Sequence, residues 1–137
     1  MVDSPASKGD TDGMSVPEPQ ASADLAAKKC VPCEGGVPRY AAAEAEAQVA
    51  NLPAWRLTHE ATRIRRDVRF RDFRSAIKFI NNVAALAERE AHHPDLHLEG
   101  YNRVWLEIYT HAIGGLSEND FILAAKIDAI APPPEAS

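Results

Sequence analysis

The spacing of apolar residues changes several times along the chain, and each change marks an element. Phe73, Ala76, Ile77, Ile80, Val83, Ala84 and Ala87 form one stripe at helical spacing. Asp72 precedes the stripe as an N-cap, and Pro94 bounds it, because the residue ahead of a proline disfavours helical geometry. His92 and His93 therefore fall at the C-terminal end of this helix or just past it. Val104, Leu106 and Ile108 alternate with Trp105, Glu107 and Tyr109, which predicts a strand. Two earlier runs, 54–59 and 63–70, predict an antiparallel hairpin. In the second, Ile64, Val68 and Phe70 keep a period of two that Arg66 interrupts. Residues 95–99 predict a further short strand, turned toward the Val104 strand by Gly100, Tyr101 and Asn102. The alanine- and glutamate-rich run 41–50 predicts a short helix, ended by Asn51, Leu52 and Pro53. Gly114 and Gly115 break the chain before a last helix. Ser117 caps that helix with Asp120 three residues on, and Phe121, Ala124, Ala125 and Asp128 continue it. The order helix, hairpin, helix, hairpin, helix reads as an α+β domain with helices packed on one face of a small antiparallel sheet.

Composition narrows the setting. The chain has 137 residues, enough for one domain. A net charge of −5 argues against bulk electrostatic binding to nucleic acid. No run approaches the roughly 18 apolar residues of a membrane span, and two cysteines cannot make a disulfide framework. Residues 1–28 are rich in Ser, Ala, Pro, Asp and Gly, with Val2, Met14, Val16 and Leu25 as the only large apolar side chains. They predict a disordered leader that lacks the layout of a secretion or transit signal. The folded domain is expected over 29–131 and a loose proline-rich tail over 132–137. Together these features read as a cytoplasmic protein.

Four of the five histidines lie between His92 and His111. Histidine titrates near neutral pH, so His92, His93 and His111 around one pocket suit general acid–base work. Glu88 stands one turn before His92 and is expected to hydrogen-bond it and hold its tautomer. His93 and His97, with Asp95 between them, are the rival metal set. Zinc needs three or four ligands in fixed geometry, and the break at Pro94 removes the helix face that would align the two, so no metal site is expected. Cys30 and Cys33 form a lone C-x-x-C. A zinc ribbon needs a second pair, so two reduced thiols in a loop are expected, a metal knot shared with a neighbouring subunit being the alternative. Arg63, Arg65, Arg66, Arg69, Arg71 and Arg74 cluster without interleaved outward aromatics, which reads as a solvated face rather than a nucleic-acid patch. Ser117 and Asp120 read first as a helix cap, with the carboxylate as a second candidate for chemistry.

From Phe70 onward the chain resembles the pterin-4a-carbinolamine dehydratases. The resemblance rests on Phe70-Arg71-Asp72-Phe73 with Ala76, on Glu88-x-x-x-His92-His93-Pro94-Asp95, on Tyr101, on Thr110-His111, and on Gly115-Leu116-Ser117-Glu118-x-Asp120. Cys30-Val31-Pro32-Cys33-Glu34-Gly35-Gly36 is similar to the leader of the bacterial and plant branch. The resemblance implies a four-stranded antiparallel sheet with helices on one face, assembly as a homodimer or homotetramer, and no metal or organic cofactor. It implies loss of water from a 4a-hydroxytetrahydropterin to give the quinonoid dihydropterin, a step that recycles the pterin of aromatic amino acid hydroxylases. By position, His92, His93 and His111 match the family's active-site histidines and Glu88 its carboxylate. Pro94, Thr110, Ala112 and Ile113 match stretches that line the pterin. The expected roles are His92 as acid for the hydroxyl, His111 as acceptor of the other proton, His93 as an orienting group, and Glu88 as the residue that sets the His92 tautomer. Animal members carry an aromatic residue where Leu96 stands, and they lack the long leader and the C-x-x-C. They also partner a homeodomain transcription factor, and no segment here matches that surface.

Two other functions fit the same fold. One is a non-catalytic dimerisation or regulatory module; His92, His93 and His111 combined with Glu88 argue against it. The other is a relative acting on a pterin of molybdenum-cofactor metabolism, which would share the pocket residues. The strand around Val104 carries large apolar residues on both faces, so a subunit interface is expected to cover the second one.

Overall fold

The alternating runs become a sheet of four antiparallel strands. The structure, a computed structural model, describes residues 15–32 and 36–132. In chain order the elements are α1 (Ser22–Ala26), α2 (Ala42–Val49), β1 (Arg56–Thr58), β2 (Arg63–Arg69), α3 (Phe73–Glu90), β3 (Asp95–Glu99), β4 (Arg103–Ile108) and α4 (Glu118–Ile130), with a 3-10 turn at His111–Ile113. The sheet order is β1-β2-β4-β3. Opposite pairs Ile64 and Ile108, Arg66 and Leu106, and Val68 and Val104 share one face. That face packs with Phe79, Val83, Phe121 and Leu123 into a single core, so the helices lie on this side. The expected α+β class and the four-stranded antiparallel sheet are both present.

Arg66 does not interrupt the period of β2. It points inward with Ile64 and Val68 and is buried. Its guanidinium pairs with Asp128, which also accepts from Trp55 Nε1 at 2.9 Å, and it donates to the Pro132 carbonyl at 2.7 Å. A buried cation is tolerated here because it is paired with a carboxylate held on α4.

Asp72 caps α3 as expected, accepting from the Ser75 N–H at 2.8 Å. The buried stripe is Ala76, Phe79, Val83, Leu86 and Ala87, turned from the expected one. Phe73 is 53% exposed, and Ile77 and Ile80 are half-buried. The apolar arc of α3 is wider than the face it buries, and the core takes the side on which Phe79 meets Phe70, ring centroids 5.3 Å apart. In α4 nearly every residue from Asn119 to Ile127 is buried, since the helix lies between α1 and α3.

The expected unpacked leader differs from the structure over 15–28. Leu25 of α1 is fully buried against α4, and Lys126 Nζ donates to the Ala26 carbonyl at 2.9 Å. Gln20 exchanges two hydrogen bonds with the buried side chain of Gln48 in α2, at 2.8 and 2.9 Å. A segment poor in apolar residues docks because one leucine fills a core site and its backbone polar groups are satisfied by side chains. Residues 1–14, Cys33 and residues 133–137 lie outside the described residues. No helix among the described residues is long and apolar enough to cross a membrane.

Candidate active site

The end of α3 sets the first two histidines. Ala91 has φ 55, in the left-handed region, and its N–H bonds the Glu88 carbonyl while the His92 N–H bonds the Ala87 carbonyl at 3.2 Å. This is a Schellman closure with alanine where glycine is usual. It reverses the chain, so His92 swings inward and His93 folds back over the helix. The expected Glu88–His92 pair is therefore not formed. Glu88 Oε2 lies 2.7 Å from His93 Nε2 instead. A residue four positions on shares a helix face only while the helix continues, and α3 stops at Glu90. Both members of the Glu88–His93 pair are exposed, which makes it a weak contact.

His92 is 7% exposed, and its partner is Asp120, which is fully buried. Asp120 Oδ1 lies 2.6 Å from His92 Nε2. Oδ2 accepts from the Ser117 N–H and from Thr110 Oγ1, each at 2.8 Å. The cap read from Ser117 and Asp120 is thus real, and the same carboxylate reaches a histidine 28 residues away in sequence. A carboxylate accepts only, so Nε2 carries the proton that His92 shares with it. The signal for Asp120 was visible as a cap. Its link to His92 depends on α4 packing beside the end of α3, which no local pattern carries.

The loop after β4 sets the third histidine. Thr110 and Gly115 pair backbone to backbone, with N–H to O distances of 2.8 and 3.4 Å, and Gly114 has φ 63. Gly115 allows the Arg39 side chain to cross, since a Cβ there would meet Arg39 Nε at 2.6 Å. Thr110 is buried beneath this closure, and His111 stands exposed at its start. His92, His93 and His111 line one cavity of about 370 Å³, with Pro94, Thr110 and Ala112 on its wall. Ile113 is half-buried and off that wall, and Glu88 reaches the site only through His93. A larger cavity of about 630 Å³ beside Tyr40 and Lys28 holds none of the three histidines.

Residues 38–130 match the family described as pterin 4 alpha carbinolamine dehydratase. The chain belongs to this family. It is 48% identical over 108 residues to a Methylococcus capsulatus protein provisionally named pterin-4-alpha-carbinolamine dehydratase, covering 78% of this chain and 93% of that one. It is 48% identical over 112 residues to the mitochondrial pterin-4-alpha-carbinolamine dehydratase 2 of Arabidopsis thaliana, covering 79% of this chain and 59% of that one. A Brucella melitensis crystal structure, titled transcriptional coactivator/pterin dehydratase, superposes with a TM-score of 0.63 at 33% identity. It covers 69% of this chain and 99% of that one.

Other candidate residues lie away from this cavity. His97 is on the outer face of the sheet, stacked on Trp105 with centroids 3.6 Å apart. Among the described residues no three metal-binding side chains are grouped. Leu96 is half-buried on the inner face and packs against the core. The Cys30 N–H donates to Glu90 at 2.9 Å, and Val31 exchanges backbone bonds with the Asn119 side chain at 2.9 and 2.7 Å. The loop before α2 is thereby tied to the residue beside Asp120. The arginine cluster also differs from its expected reading, because aromatics do interleave with it. Arg65 lies 3.9 Å from the Trp105 ring centroid and Arg63 lies 4.2 Å from that of Tyr109. The aromatics come from β4 and its end, about forty residues on, so inspection of the arginine run alone missed them.

Proposed function

We propose that the protein removes water from a 4a-hydroxytetrahydropterin to give the quinonoid dihydropterin, in the cytoplasm, as a step of tetrahydropterin recycling. The observation that carries this reading is the convergence of His92, His93 and His111 on one cavity with His92 held by a buried carboxylate. The 4a-hydroxyl leaves poorly until it gains a proton, and the N5 proton must leave as the C4a–N5 double bond forms. One imidazole gives a proton to the hydroxyl, the C4a–O bond breaks, and water departs. A second imidazole takes the N5 proton, so atoms and charge balance. His92 serves as the acid and His111 as the acceptor. His93, steadied by Glu88, orients the ring. The backbone at Thr110 and the wall at Pro94 and Ala112 bound a flat neutral ligand. Proton transfers complete the step, so its chemistry calls for no metal or organic cofactor.

Stopped-flow decay of a freshly generated 4a-hydroxytetrahydropterin, measured against buffer, tests the reading. Acceleration well above the unaided reaction is expected. A decay equal to buffer would sink it and favour a non-catalytic role, and a preference for another pterin would move the substrate toward molybdenum-cofactor chemistry. The proposal includes assembly at least as a homodimer, supported by the exposed Phe73 beside half-buried Ile77 and Ile80 on α3. Light scattering at micromolar concentration should give at least twice the monomer mass of 14.9 kDa; the monomer mass alone would refute it.

A further inference from the structure

Side chains alternate between faces at the end of β4, and Tyr109 and His111 fall on the same one. The Tyr109 phenol oxygen lies 3.1 Å from His111 Nδ1, with ring centroids 4.2 Å apart. The Arg63 guanidinium covers the Tyr109 ring, 4.2 Å from its centroid. Arg63 Nη1 donates to Glu107 Oε1 at 3.1 Å, and Thr58 Oγ1 donates to Glu107 Oε2 at 2.9 Å. Burial pushes the Glu107 carboxyl up, but the hydrogen bonds from Thr58 and Arg63 outweigh it and hold the group below its ordinary range. Glu107 is therefore a charged anchor at neutral pH. A brace runs from Thr58 on β1 through Glu107 on β4 and Arg63 on β2 to Tyr109, and ends at His111.

We infer that Tyr109 is a positioning residue for His111: its phenol oxygen accepts the Nδ1 proton, which leaves Nε2 as the nitrogen that exchanges a proton in the cavity. This rests on the reading of His111 as the acceptor of the pterin proton. Two considerations support the direction of the bond. A separation of 3.1 Å lies within the range of an N–H donor to an oxygen acceptor. An imidazole that shuttles a proton at Nε2 must also carry one on Nδ1 in both of its charge states, so its other side needs an acceptor. His111 is exposed, so the brace supplies the orientation that a buried residue gains from its neighbours.

Tyr109→Phe keeps the ring under Arg63 and removes only the oxygen. Two-bond nitrogen–proton NMR on the full chain, at a pH where the imidazole is neutral, reads the His111 tautomer directly. His111→Ala identifies its signals. Wild type is expected to hold the proton on Nδ1, and Tyr109→Phe to shift toward the Nε2 form. The variant should also lose about tenfold in kcat with KM unchanged. A wild-type proton on Nε2, a tautomer unmoved in Tyr109→Phe, or an unchanged kcat would each overturn the inference. The tautomer is read without turnover, so an inactive wild type with the Nδ1 form would overturn the proposed reaction and leave the Tyr109–His111 pairing standing.

Discussion

His111→Ala is expected to slow dehydration on the order of 10²- to 10⁴-fold, the usual contribution of one positioned acid or base. The side chain is exposed, and among the described residues its one hydrogen bond is to Tyr109, so the fold should be unaffected. His92→Ala should cost a similar factor, with a loss of stability besides, because it strips a partner from buried Asp120. The double variant should be scarcely slower than either single one, since the two histidines complete one proton exchange. Stopped-flow rates at saturating pterin, with a melting curve for each variant, check all three. A folded His111→Ala with an undiminished rate would remove that residue from the chemistry. Strictly multiplicative losses would show that the two act independently.

Asp120→Ala is expected to lower the unfolding free energy by about 3–5 kcal/mol, the range for removing one partner of a buried pair. The change leaves His92 without its carboxylate and the Ser117 N–H without its acceptor. Asp120→Asn separates the two duties of this side chain. Its amide oxygen can replace Oδ2 toward Ser117 and Thr110, so the stability loss should fall to about 1–3 kcal/mol. Its amide nitrogen then faces His92 Nε2 and donates to it, which reverses the tautomer. Activity should drop on the order of 10²- to 10⁴-fold although the fold survives. Denaturant titration and kinetics on the two variants give the comparison. An active, stable Asp120→Asn would show that the tautomer of His92 does not matter to the reaction.

Local signals located most of the elements, because their cause is local. Asp72 and Ser117 start helices wherever the chain lies, and the alternation around Val104 forms a strand in any sheet. The departures share another cause. Glu88 and His92 have the right spacing for a pair, but a left-handed Ala91 intervenes, and alanine gives no warning of that conformation. Arg66 looks like a fault in β2 until Asp128 and Pro132 are brought to it by α4. Trp105 and Tyr109 stand far along the chain from the arginines they meet. Leu25 looks isolated in a polar run, and only the α4 surface shows what it fills. The three histidines were legible by type and motif; the carboxylate that holds one of them, and the phenol that meets another, depend on which elements become neighbours.

The docked segment from Gln20 to Val31 also separates two kinds of boundary. The family match spans residues 38–130, whereas the unit that holds together physically includes a leucine and two glutamine contacts from further upstream. Because Val31 grips Asn119, the neighbour of Asp120, a change in that covering segment acts one residue from the buried carboxylate without touching any of the three histidines.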